Sequence, residues 1–372
     1  MFTTVLLVIA LVFLPVIELQ EVVVADNFVI VESVAGVGLH GSQDGELAEF
    51  NLPSDIFSSG DGSLFVIDTH NNLIRLINED GYVSRVTGNV LDLDQFSFPQ
   101  GAYRDGAIES SLFNRPMGGV LDSQGWIFIA DSANHTIRVI IDDNVFTFAG
   151  SNESGHVDGS FAEARFYQPS SIAIGSCGNF FVTDSLNHVI RKIDLDGNVT
   201  TIAGIPGVYG HQDGTAETAI FNTPMGIAVS EDGVIYVADT ENHLIRVIED
   251  GYVRTLAGTV VFPDDLNLGE TYDFNEEPMG GFADGEEAMF NLPVGLTLWN
   301  DILIVADSAN HRIRAVLPNG ETITLAGTGY PGHIDGFYDI AEFHFPRGVY
   351  VNEDKLFIAD TGNNIIRVLF LI

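Results

Sequence analysis

The sequence predicts an all-β fold, a six-bladed β-propeller with four-stranded blades, its ring closed by an N-terminal strand that completes the last blade. Three observations carry that prediction: a decapeptide written six times, a constant phrase upstream of every copy, and an incomplete repeat at each end of the chain.

The decapeptide reads "DTHNNLIRLI" from Asp68 and "DSANHTIRVI" from Asp131, with further copies from Asp184, Asp239, Asp307 and Asp360. An Arg stands seven residues after each Asp: Arg75, Arg138, Arg191, Arg246, Arg314 and Arg367. A spacing held this rigidly serves architecture before chemistry. Asp and Asn have short side chains that bond nearby backbone amides in a tight turn between the second and third strands. The Arg is expected to pair with an Asp of its own or the adjoining blade, in a fork that fixes blade against blade. His135, His188, His243 and His311 read as packing within that turn rather than as ligands.

Upstream of each copy, Asp-Gly is followed six or eight residues later by Phe and then by Pro, as in "DGELAEFNLP" from Asp44 and "DGTAETAIFNTP" from Asp213. From that Pro to the decapeptide Asp is 14 or 15 residues in every copy, so the unit is fixed and only its joints vary. Asp-Gly is expected to turn the chain and cap a one-turn helix leading to a Phe that plugs between blades. Within a unit, "GIAVS", "VIYVAD", "LIRVIE" and "YVRTLAG" are short β-branched and aromatic runs separated by turn signals, which gives four strands and no helix long enough for a βαβ unit. The 53 to 68 residues between successive decapeptides suit a four-stranded blade with a generous connecting loop.

The ends close the count. The chain stops at "IIRVLFLI", a third strand without its fourth, while "FVIVESVAG" at 28–36 matches the fourth-strand phrases but follows no blade. Pairing the two removes the open edges. The Asn-His-Leu at 242–244 and its variants in the other five copies resemble the NHL-repeat family over residues 27–372. The resemblance implies a six-bladed propeller; it specifies function weakly, because propellers host binding proteins, lyases and hydrolases alike.

Composition bounds the function. Of 372 residues, 52 are acidic and 15 basic, a formal charge of −37 that repels phosphate backbones and anionic membranes, so no nucleic-acid partner is expected. The 46% hydrophobic content is ample for a core. Residues 5–17 form a 13-residue apolar run, short for a membrane span and suited to a signal-peptide core, with Val23 and Ala25 placed for cleavage after Ala25. That divides the chain into a signal or apolar segment at 1–25 and one propeller at 26–372. It predicts a secreted, cell-surface or periplasmic protein, without a stable membrane span after cleavage and monomeric. Sequons at Asn134, Asn152 and Asn198 would be glycan acceptors on a eukaryotic secretory route. The lone Cys177 builds no disulfide framework and reads as an inert thiol near a turn.

Chemistry is expected at the mouth of the channel, where the turns between second and third strands share a face with the joints between blades. Two joints are long: 17 residues separate Gly88 from Asp105 and 26 separate Gly258 from Asp284, against 8 or 9 elsewhere. They precede blades 2 and 5, three apart in a ring of six, so they are expected to face each other across the mouth. The second carries Asp264, Asp265, Glu270, Asp273, Glu276 and Glu277, carboxylates that would suit calcium but match no EF-hand spacing and read better as a solvated acidic loop. Asp55 is the only carboxylate among the inner-strand openings, so a channel metal site is not expected there. His40, His156, His211 and His333 stand in Gly-rich loops before four different blades and read as loop packing.

Positive charge at the mouth is the exception in so acidic a chain. Arg115 and Arg347 flank the Pro that starts an inner strand, and with Asp55, Met117, Gln168, Met225 and Phe345 they are expected to line the mouth as a mixed apolar and cationic pocket for an anionic ligand. The function this supports is an exported binding module acting through its loop face on a protein or small anionic ligand, without a cofactor. The alternatives are a propeller hydrolase or lyase that uses calcium, and an acidic surface protein whose charge serves salt tolerance or cation binding.

Overall fold

A computed structural model describes residues 30–94, 99–262 and 278–371. The apolar segment at 1–25, the tips of both long joints and the carboxylates Asp264, Asp265, Glu270, Asp273, Glu276 and Glu277 lie outside the described residues. Among the described residues no helix is long and apolar enough to cross a membrane.

Six antiparallel sheets form the blades. Blade 4 shows the pattern, with strands Pro224–Val229, Ile235–Asp239, Leu244–Glu249 and Tyr252–Ala257 running outward from the axis. Blade 6 joins the two ends of the chain: Ile30–Ala35 pairs antiparallel with Ile365–Phe370, Val31 opposite Leu369 and Ser33 opposite Arg367. Ser33 reinforces the seam by donating its amide and hydroxyl to the Asp335 carboxylate, at 3.1 Å each. A ring closed this way leaves neither end of the array unpaired.

The segment after Asp-Gly departs from the expected one-turn helix. In blades 2, 3, 4 and 6 it makes a two-residue fifth strand on the outer edge, as Gly214–Thr215 does against Tyr252–Ala257, and then a turn. The Asp carboxylate binds the fourth strand: Asp213 accepts the Thr255 amide at 3.0 Å, so the local chain is held flat against the sheet rather than coiled. The Phe that follows enters the core between blades. Phe50 is fully buried among Ile56 and Val66 of its own blade and Ala359 and Ile366 of blade 6.

The repeated Asp and Arg join that crossing segment to the turn. Arg246 donates to Asp239 and Asp213 at 2.6 Å each and to the Ile220 and Gln212 carbonyls, and lies 5.1 Å from the centre of the Phe221 ring. The same two-carboxylate arrangement recurs at Arg75, Arg138, Arg191, Arg314 and Arg367. Both acids belong to the Arg's own repeat. The decapeptide Asp also departs from expectation, because it caps no amide of its own turn. Asp239 instead accepts the amide of Asn222, seventeen residues earlier at the start of the inner strand, and the Asn242 side chain. Burial pushes Asp68, Asp131, Asp184 and Asp239 up to about 6 against the pull of the Arg, so they remain ionised at neutral pH.

The histidines do more than pack the turn. His135, His188, His243 and His311 accept, through Nδ1, the backbone amides of Gln168, Thr223, Leu292 and Phe345 in the next blade. Asn72 and Asn364 supply the same acceptor to Arg115 and Leu52, which completes a ring of six clasps. Donors and acceptors alike have left-handed backbone, with φ of 47 to 58°. Because Asn serves in two interfaces, His243→Asn is expected to keep stability within about 1 kcal/mol at pH 7.5, whereas His243→Ala orphans an amide and costs about 1–3 kcal/mol. Burial holds His243 below its ordinary value of 6.5, so its contribution is complete above that pH and declines as pH falls below it. The Asn variant should therefore lose less stability than wild type between pH 6.5 and 5, a difference readable from denaturation midpoints.

Candidate functional site

The inner strands converge so closely on the axis that side chains are excluded from part of the ring. A Cβ on Gly226 would fall 1.9 Å from the Val294 carbonyl oxygen, and one on Gly295 1.9 Å from that of Arg347. Gly118 and Gly348 hold the equivalent places in blades 2 and 6, while blades 1 and 3 carry Asp55 and Ser171. The throat between them encloses only about 30 Å³, the room of one water molecule.

Above the throat the mouth opens into a pocket of about 580 Å³. Arg115, Met117, Gln168, Met225, Phe345 and Arg347 all line it, together with His70 and His344. Among the described residues blade 5 contributes no lining residue and no carboxylate lines the pocket. Asp55 is not in this pocket; it lies in the throat below, which Met117, Met225 and Arg347 also border. Its Oδ1 accepts the Ile56 amide at 2.9 Å and its Oδ2 the Gly119 amide at 3.0 Å. Burial pushes its carboxyl up to about 7, those two hydrogen bonds opposing the shift.

The pocket is polarised by the order of the blades. Arg115 belongs to blade 2 and Arg347 to blade 6, so the two cations flank blade 1 and its turn residue His70. Burial, then the charges of Arg115 and Arg347, hold His70 below its ordinary value, which puts both guanidinium groups within electrostatic reach of one imidazole. Burial alone lowers Arg347. Neither Arg115 nor Arg347 forms an ion pair among the described residues. Met225, Thr223 and Leu186 make the opposite wall neutral.

The remaining histidine candidates do not meet. His156, His211 and His333 each approach a hydroxyl of the fourth strand in their own blade, Thr201, Thr255 and Ser33. No group of three His, Cys, Asp or Glu side chains able to hold a metal ion occurs among the described residues. Asn134 is buried, its amide bound to the Ala102 carbonyl and the Asp131 carboxylate. Sequence reasoning missed the histidine clasps and the throat; the recurrence of only His or Asn at one repeat position was the available signal for the first.

The NHL repeat family model matches residues 221–248 and 290–316. NHL repeat-containing protein 2 of Bos taurus is 28% identical over 353 residues, covering 83% of this chain and 45% of that protein, and the human protein is 27% identical with the same coverage. The chain thus spans about half the length of these curated relatives. Teneurin-3 of Danio rerio is 26% identical across 77% of the chain and 12% of its own length. Among solved structures, an auxiliary nutrient binding protein from Bacteroides ovatus superposes with a TM-score of 0.66 at 14% identity, over 92% of this chain and 77% of that one. A streptogramin B lyase superposes with a TM-score of 0.55 at 14% identity, over 93% and 98%. At such identities the likeness is one of fold.

Proposed function

We propose that this chain, a member of the NHL-repeat family, is a binding module that takes an anionic ligand in the mouth of its propeller. One observation carries the reading: in a chain of formal charge −37, two arginines that form no ion pair among the described residues share a pocket that no described carboxylate lines. A guanidinium with free donors is suited to a carboxylate or phosphate oxygen pair, and Met117, Met225 and Phe345 offer apolar surface to the rest of the ligand. The description of a structural neighbour as a nutrient binding protein accords with a binding role.

Straight-chain carboxylates from acetate to octanoate, with the matching primary amides as uncharged controls, provide the test. A ligand that binds only the folded chain must raise its melting temperature. The carboxylates are expected to do so increasingly with chain length and the amides weakly. Arg115→Gln and Arg347→Gln should each weaken octanoate binding at least tenfold in titration calorimetry. Equal binding of acid and amide, or an Arg115→Gln, Arg347→Gln double variant that binds as wild type does, would overturn the reading.

A further inference from the structure

A second cleft, also of about 580 Å³, opens between blades 2 and 3 on the face opposite the mouth. It is reached from the turn between the first two strands of each blade and from the Asp194–Leu195 turn of blade 3. Five aromatic side chains line it. Phe148 stands 4.9 Å from Phe128, 4.6 Å from Phe161 and 5.4 Å from Phe180, ring centre to ring centre, and Trp126 completes the set at the surface.

The repeat supplies its own control. At the place of Trp126 the other blades carry Ser63, Asn179, Val234, Ile302 and Lys355. At the place of Phe148 the other blades carry Val86, Ile202, Leu256, Leu325 and, in the N-terminal strand of blade 6, Val34. Five interfaces therefore pack without these rings, and the fold does not require them here. Trp126 is left 41% exposed and Leu195, which lines the same cleft, 74%, apolar surface that blade packing does not cover.

Charge at the rim selects the occupant. Asp122 and Asp194 are the charged groups lining the cleft, and each is fixed by turn amides: Asp122 accepts those of Gln124 and Trp126 at 2.8 Å, Asp194 those of Asp196 and Asn198 at 3.0 and 2.8 Å. Lys192 acts on Asp194 from the adjacent strand but does not line the cleft. An exposed indole beside a fixed carboxylate favours a guanidinium or ammonium stacked on the ring. We propose that this cleft docks a basic segment of a protein partner, with an Arg or Lys over Trp126 beside Asp122 and an aliphatic neighbour against Phe148 and Phe161. A second copy of the chain is disfavoured as occupant by the −37 charge each copy carries.

The capped peptides Leu-Arg-Leu-Arg and Leu-Glu-Leu-Glu are titrated against the full chain in a Trp299→Phe background, which leaves Trp126 as the only tryptophan to report by selectively excited indole fluorescence. The basic peptide should give a saturable change that weakens as salt is added, and the acidic peptide none. By calorimetry, Trp126→Ser should weaken the basic peptide at least tenfold while melting as wild type does, since Ser63 fills that place in blade 1. Equal response to both peptides, or undiminished binding by Trp126→Ser, would overturn the proposal. So would a dimer in sedimentation that Trp126→Ser abolishes, which would make a second copy the occupant.

Discussion

Replacing Arg246 by methionine is expected to remove about 3–5 kcal/mol of stability, because it breaks a buried pair from one side only. The guanidinium and Asp239 are both fully buried, and Asp239 is held by Arg246, Asn242 and the Asn222 amide. Methionine would still pack on Phe221 but leaves a carboxylate facing two neutral donors in the core. The pH dependence identifies the cause. Asp239 is raised to about 6 in the folded chain, above its unfolded value near 3.8, so protonation in the folded state relieves its burial as pH falls from 6 towards 3.8. Loss of the Arg raises that carboxyl further. The defect should therefore be largest at pH 7 and smaller near pH 5, as read from urea denaturation. Adding Asp239→Asn to the Arg variant should recover part of the loss at pH 7. A defect below about 1 kcal/mol, or a double variant no better than the single one, would show that the repeated Arg is not held by this charge balance.

The same repeat shows where sequence reading reaches and where it stops. The six Asp and Arg columns, the Phe and Pro upstream, and the unmatched strands at both ends were sufficient for the number of blades and the closure of the ring, because each records a contact at fixed separation along the chain. The clasp between blades is different. His135 meets Gln168 and His243 meets Leu292, and the donors Leu52, Arg115, Gln168, Thr223, Leu292 and Phe345 share no side-chain chemistry, since only their amides matter. Their left-handed backbone also runs against the extended conformation favoured before proline, so local propensity points away from it. Arg115, Met117, Gln168, Met225, Phe345 and Arg347 were legible together because the repeat places them at one end of the inner strands. Asp55, one residue further along its strand than Met117 and Arg347 on theirs, falls into the throat instead.

That single step gives Asp55 the second large expected effect, this time in favour of the variant. Its carboxyl has two backbone hydrogen bonds and no cation within ion-pair distance among the described residues, and burial takes it to about 7. A folded value above the unfolded 3.8 means that ionised Asp55 opposes folding above pH 7, and that this cost is relieved as pH falls from 7 to 3.8. At about 1.36 kcal/mol per unit the cost approaches an upper bound of about 4 kcal/mol at pH 8. Asp55→Asn retains an oxygen acceptor for one of the two amides and removes the charge. It should raise the melting temperature at pH 8, and the gain should shrink steadily to nothing near pH 4. An unchanged or lower melting temperature at pH 8 would mean that the throat stabilises the carboxylate by some other contact. If the gain appears, octanoate titration of the same variant separates two origins for a charge kept at such cost. Unaltered affinity confines it to the packing of blades 1 and 2, and altered affinity makes the throat the floor of the mouth site, where Arg347 borders both spaces.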